Sequence, residues 1–181
     1  MKYFKYFLFL NLVFIIGLKS CSVQKSNTNK TLKIGTTYQG GILFYLFKEG
    51  DIGYVSGELH GLVVAPNDQS SEIEWGCFGT RIKGANKTAV GTGAQNTLAI
   101  VAGCNESQIA AKVCDELVLE GYDDWFLPSK DELNLLYLNK DLITNFGDFY
   151  YWSSTGYGGF NGWGQDFFSG FQYGNFDEYG Y

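Results

Sequence analysis

Apolar residues along the chain fall into short blocks with two different periods, separated by glycine and small polar residues. Residues 41–47 (GILFYLF), opened by Gly40 and Gly41, are rich in β-formers and predict a strand. Residues 52–56 and 62–65 predict further short strands, divided by the glycine-bounded stretch 57–61. Residues 67–71 predict a turn and residues 73–75 another strand. From Gly91 the period lengthens. Gly91-Thr92-Gly93 leads into a helix over 94–102. Asn105, with Gln108 three residues on, has the spacing of a capping box and predicts the start of a second helix that Gly121 ends. Ile109, Val113 and Leu117, with Ala110 and Cys114, form its apolar side. Residues 124–127 (DWFL) are extended and Pro128 stops them. Ser129 then caps a third helix, with Glu132 reaching back to it; Leu133, Leu136 and Tyr137 face inward. Beyond Lys140 there is no Lys or Arg, but 15 aromatics and nine glycines, so this stretch is read as strands at 150–154 and 163–168 around a loop at 156–162.

The N-terminus follows a different logic. Lys2 and Lys5 precede an apolar run at 7–18, and the small residue Ser20 closes it just before Cys21. The run is roughly a dozen residues, against about 20 for a membrane-spanning helix. Residues 1–20 are therefore expected to be a secretory leader. Leu18, Ser20 and Cys21 resemble the lipobox of bacterial lipoproteins, in which the cysteine is acylated and becomes the new N-terminus. Lys19 departs from the small residue usual there. Acyl chains on Cys21 would anchor the chain, each buried CH₂ contributing about 0.8 kcal/mol. The competing assignment is a plain secretory leader with an incidental cysteine. Residues 21–35 are polar up to Leu32 and read as the lipidated cysteine and a flexible tether, leaving 36–181 as one domain. The expected location is the bacterial cell envelope, lipid-anchored and extracytoplasmic, with Ser22 compatible with outer-membrane sorting.

Charge narrows the partners. The formal charge is −6 for the whole chain, and −9 once Lys2, Lys5 and Lys19 leave with the leader. Such a surface opposes nucleic-acid binding, which depends on neutralising phosphates. It equally opposes docking of the protein surface on anionic lipid, so the expected membrane contact is the N-terminal lipid alone. Of the cysteines left after Cys21, Cys114 sits on the apolar side of a predicted helix and is expected to be a buried thiol. Cys77 and Cys104 both stand beside glycine at element ends, and a Cys77–Cys104 disulfide is predicted. The alternative leaves all three reduced.

Candidate chemistry is sparse. One histidine, His60, cannot build a histidine-rich metal site, and its place before an apolar strand reads as surface or strand edge. Gly91-x-Gly93-x-x-Asn96 lacks the third glycine and the parallel-sheet setting of a dinucleotide loop, so helix entry is the better reading and no cofactor is expected. Asp123-Asp124 and Asp131-Glu132 lack the alternating spacing of a calcium loop, and capping already explains the second pair. Trp125 and Trp152, inside apolar strands, read as core. Tyr157, Phe160 and Trp163 stand among glycines with Asn161, Gln165 and Asp166 nearby, and Tyr173 follows. Flat rings beside short polar groups suit a glycan or peptide surface, because rings stack at little entropic cost while amides and carboxylates take hydroxyl hydrogen bonds. Packing of these rings inside a loop-rich subdomain is the competing reading.

Several segments in order, YQGGILFYL, HGLVVAPNDQS, EIEWGCFGT, GTGAQNT, IVAGC, AAKVCDELVLEGYDDWFLPSKDELNLLY and YYWSST, resemble the family named for the C-terminal domain of the Legionella collagen-like protein. The resemblance covers about residues 36–176. It implies an α+β fold of C-type-lectin-like architecture, with short twisted antiparallel strands, two to three helices and a region of Gly- and aromatic-rich loops. It implies neither calcium nor lectin activity. The namesake's terminal domain takes part in attachment to glycosaminoglycan-like polymers, but an anionic glycan would be repelled by a domain this acidic. Members usually close with a strand of the VRAVR type, which is not found before this sequence stops at FDEYGY. The expected function is a membrane-anchored binding or adhesion module whose ligand is a glycan or an envelope protein. The alternatives are a carboxylate-dependent glycan-acting enzyme, with Asp166 and Asp123 or Asp124 as its acids, and a structural paralogue without a ligand.

Overall fold

The computed structural model describes residues 4–7, 32–143 and 146–174. Their elements run in the order β1 (Phe4–Phe7), β2 (Thr37–Tyr38), β3 (Gly41–Leu46), β4 (Gly61–Val64), α1 (Gly93–Gly103), α2 (Ala110–Asp115), β5 (Trp125–Phe126), α3 (Lys130–Leu138), a 3₁₀ turn (Lys140–Leu142), β6 (Tyr150–Tyr157), β7 (Asn161–Asp166) and β8 (Gln172–Tyr173). The fold is α+β, with two antiparallel sheets ordered β2-β3-β4-β1-β5 and β6-β7-β8.

The larger sheet divides the interior in two, and strand parity decides which core each residue joins. Leu43, Val63 and Trp125 face one core, with Ile100 and Cys104 of the α1 region and Ala110, Ala111 and Cys114 of α2. Phe44, Leu62, Val64 and Phe126 face the other, with Leu133 and Leu136 of α3 and with Tyr151 and Phe167 of the smaller sheet's region. Because both faces are covered, β4 is apolar and buried at every position (GLVV), without the alternation of a half-exposed strand. A register shift in β3 between Leu43 and Tyr45 puts Phe44 and Tyr45 in the same core.

The cores are closed by a covalent tie. Cys77 and Cys104 form a disulfide that joins the loop after Trp75 to the end of α1, as the sequence predicts, and Cys114 is a buried free thiol. Gly162 is a further point of closure. A Cβ there would collide with the Trp75 indole, so β7 can cross this ring only with glycine.

Several elements differ from expectation. Residues 52–56 are turns: Ile52 and Val55 are more than 40% exposed, and Asp51 draws in the Lys48 amide and the Tyr45 hydroxyl. Residues 73–75 contribute one bridge, from Glu74 to Ile109, in place of a strand. That bridge also delays α2. The Ala110 amide donates to Glu74 O and holds Ile109 extended, so the helix begins at Ala110 and Asn105 caps nothing. Gly121 lies in the tight turn between Leu119 and Tyr122, beyond the end of α2. His60 sits at the strand edge, directly before β4 with its carbonyl accepting from the Phe47 amide, but it is buried, with Nε2 2.8 Å from Glu58 Oε2, and is not a surface residue. The aromatic region is more regular than predicted. β6 runs on to Tyr157 and β7 starts at Asn161, leaving only a short turn between them.

Residues 4–7, inside the expected leader, form β1, an interior strand of the larger sheet between β4 and β5. Cys21, the rest of the apolar run and residues 175–181 lie outside the described residues, as does the tether up to Thr31. No described helix is long and apolar enough to cross a membrane.

Closing a loop with a sequence separation of 27 is worth about 3.5 kcal/mol in chain entropy. The double variant Cys77→Ala/Cys104→Ala is therefore expected to lose about 3 kcal/mol in urea unfolding while keeping native circular dichroism. A loss below about 1 kcal/mol would show that the bridge contributes little.

Candidate functional site

The segments around Gly91, Ser129 and Ser154 build a structural junction. At the start of α3 the capping box is complete: Ser129 Oγ accepts from the Glu132 amide at 3.3 Å, and Glu132 Oε2 accepts from the Ser129 amide at 2.7 Å. Glu132 is fully buried and reaches further than a cap requires. Its Oε1 accepts from the Gly91 amide at 2.7 Å, and the Gly93 amide also donates to the carboxyl. A Cβ on Gly93 would strike Oε2, so the carboxyl demands glycine there. Ser129 Oγ donates to Ala89 O, and the Asp131 amide to Thr88 O. The loop before α1 is thus strapped to the N-terminus of α3. These contacts dispose of a dinucleotide loop at Gly91-x-Gly93, because the carboxyl already occupies both glycine amides.

β6 enters the same junction. Between Trp152 and Gly156 its pairing with β7 is irregular, and other partners take its polar groups. The Ser154 amide donates to Pro128 O at 2.6 Å and the Gly156 amide to Ala85 O at 2.5 Å. Ser153 O accepts from the Trp75 indole at 2.8 Å. Thr155 Oγ1 accepts from the Lys130 amide and donates to Lys87 O. YYWSST is therefore the strand on which the loop before α1, α3 and the smaller sheet converge. Trp125 is buried core as expected, and Trp152 packs against the same core with its indole N–H on Ile73 O.

The predicted ligand surface separates into two groups. Tyr157 and Phe160 are about half exposed, and Tyr157 meets Trp163 edge-on at 5.4 Å between centroids. Lys130 Nζ lies 3.7 Å from the Trp163 ring centroid, a cation–π contact. Asn161 opens β7 opposite Tyr157, and Tyr173 pairs edge-to-face with Phe171. Gln165 and Asp166, by contrast, do not belong to an accessible surface. Gln165 is fully buried and its amide donates to Asn134 Oδ1 and Gly170 O. Asp166 is tied into its own turn by the Ser169 hydroxyl and the Phe168 amide; burial raises its pKa, but these donors prevail and hold it below the ordinary value. The physical reason is parity: opposite the buried Tyr151, Gln165 points toward α3.

A second aromatic group lies at the other end of β6, about 20 Å away at the rise of an extended strand. Residues 68–71 and 149–151 line an open cleft of about 490 Å³. Phe149 is 66% exposed and Tyr150 49%. Asp68, Gln69, Ser70 and Ser71 complete the lining, and the Ser70 hydroxyl donates to Glu72 O at 2.8 Å. Tyr151, a core residue, donates its hydroxyl to Asp68 Oδ2 at 3.3 Å and fixes one side of the carboxylate. Its own pKa is pushed up, first by burial and then by the Asp68 charge. Another cleft, of about 530 Å³, lies between the turns at Gln39–Gly40 and Glu120–Gly121. Each of these two clefts carries a single carboxylate, Asp68 or Glu120, and neither holds the facing pair that acid–base glycoside hydrolysis requires. Sequence reasoning missed the first cleft because 67–71 reads only as a turn; the available signal was Asp-Gln-Ser-Ser, a polar run separated by three residues from the end of a buried strand.

No family model, curated protein or solved structure matches this chain.

The buried Glu132 generates a pH dependence. Desolvation drives its pKa from 4.5 up to about 7 against the pull of the amides. Between these values the native state holds a proton that the unfolded chain releases, so this group's contribution falls as pH rises from about 4.5 to about 7, and is flat above. The span corresponds to on the order of 3 kcal/mol. Unfolding free energies of the wild type, referenced to Glu132→Gln, are expected to fall between pH 5 and pH 8; a rise over that interval would show that the amides win and the carboxylate is ionised throughout.

Proposed function

We propose that this chain is a lipid-anchored binding module of the bacterial cell envelope that holds a glycan in the cleft between residues 68–71 and 149–151. The observation that carries the reading is an open cleft whose lining brings two exposed rings, Phe149 and Tyr150, together with Asp68, Gln69, Ser70 and Ser71. Sugar rings present apolar faces that stack on aromatics and hydroxyl edges that take hydrogen bonds, and this cleft supplies both. The net negative charge favours a neutral or amino sugar over an anionic polymer. Membership of the family of Legionella collagen-like C-terminal domains, and the C-type-lectin-like version of the α+β fold, belong to this proposal; its support is the long run GYDDWFLPSKDELNLLY followed by YYWSST.

Binding is expected to weaken at least tenfold in Tyr150→Ala and in Asp68→Asn on a panel of neutral and amino-sugar oligosaccharides, measured by calorimetry. Phe78→Ala removes a 90% exposed ring outside the cleft and is expected to leave affinity unchanged. Equal affinity in Tyr150→Ala and the wild type, or no binding across the panel, would reject the cleft as a glycan site.

Anchoring is tested separately. Radiolabelled palmitate is expected to enter the wild-type chain in a bacterial host and to be absent from Cys21→Ser, which should leave the membrane fraction. A Cys21→Ser chain that stays equally membrane-bound would remove the lipid from the account.

A further inference from the structure

The larger sheet depends on a strand that the export reading takes away. β1 lies between β4 and β5 and joins the two. It runs antiparallel to both, pairing Phe4, Lys5, Tyr6 and Phe7 with Val64, Val63, Leu62 and Gly61, and Phe4 and Lys5 also with Phe126 and Trp125. Those four residues fall within the expected leader. Once a leader ending at Ser20 is cut away, one side of β4 becomes a sheet edge. That edge lies between two apolar cores, since Leu62 and Val64 belong to one and Val63 to the other. A bare backbone edge in such a place is a template for strand addition, because its amides and carbonyls have no water to turn to.

We propose that the position between β4 and β5 is a strand-acceptor slot, and that in the processed protein it is filled by an extended segment of another polypeptide. The inference rests on the leader cleavage that forms part of the proposed anchoring. β1 defines what fits: at least four extended residues, antiparallel to β4, without proline at the position of Lys5, where both neighbouring strands pair. The positions of Phe4 and Tyr6 stand opposite Val64 and Leu62 and call for bulky apolar residues. The partner is thus a protein with an accessible apolar strand, recognised mainly through its main chain, the mode known as β-augmentation.

The test uses the chain overproduced in a bacterial host and purified from its membranes. Intact mass first gives the N-terminus. A fluorescent peptide of residues 2–9 (KYFKYFLF) is then titrated against the processed protein by anisotropy, alongside the same peptide with Lys5→Pro. Saturable one-to-one binding, at least tenfold weaker for the proline peptide and accompanied by a higher Tm, is the expected result. If the processed chain is unfolded alone, recovery of near-ultraviolet circular dichroism on adding the first peptide but not the second carries the same meaning. Processed protein that neither binds nor is rescued overturns the slot, whether a segment of its own chain fills the position or nothing does, and leaves the anchoring intact. Folded protein that retains residues 4–7 overturns both the slot's foreign occupant and the cleavage.

Discussion

The fold hangs on one buried carboxyl. Glu132 is deep in the domain, where an acid is costly unless its oxygens meet donors. It meets the amides of Ser129, Gly91 and Gly93. Each of those contacts does a different job. The first closes the N-terminus of α3. The other two hold the loop that opens α1, from 41 and 39 residues earlier in the chain. A helix start and a distant loop are thereby fixed to one group, and two of the layers that cover the sheets cannot slide past each other. Glutamine would keep an oxygen for one glycine amide but turn an N–H₂ toward donors, leaving like against like.

The second constraint is the sheet's position between two cores. Burying a strand on both faces removes the alternation that normally fixes register, so register must come from elsewhere. Here it comes from the ends. Thr97 Oγ1 donates to Gly93 O and accepts from the Leu127 amide, which ties α1 to the end of β5. Pro128 O accepts from both the amide and the hydroxyl of Ser154, which ties the next residue to β6. WFLPS and YYWSST are thus two sides of one hydrogen-bonded seam.

What was legible in the sequence follows from this. The capping box, the strand at 41–47 and the helix after Gly93 are local patterns, decided within a few residues. The disulfide was legible because two cysteines stood at element ends while the third lay on an apolar face. Illegible features depend on partners far away. The bridge from Glu74 to Ile109 moved the start of α2, and no spacing around Asn105 announces it. Gln165 and Asp166 looked like ligand groups because their residue types suit hydroxyls; only the pairing of Gln165 with Tyr151 and the turn at Ser169 reveal that both are structural. The cleft at residues 68–71 is assembled from two segments about 80 residues apart, and its carboxylate is known only from contact with β6.

This assembly bears on how the cleft would work. Tyr150, Tyr151 and Trp152 are consecutive on β6, and they face, respectively, the cleft, one core and the fringe of the other. Tyr151 packs against Phe146 and Phe167 and also positions Asp68 through its hydroxyl. The ring wall and the carboxylate are therefore held by the same packed strand, so neither has to be ordered when a ligand arrives. The rings at Tyr157 and Trp163 have a weaker claim on this argument. They are braced chiefly by each other and by Lys130, and the buried side chains beside them face α3. A rigid cleft on the end of β6 that is anchored in both cores is the better place for selective binding.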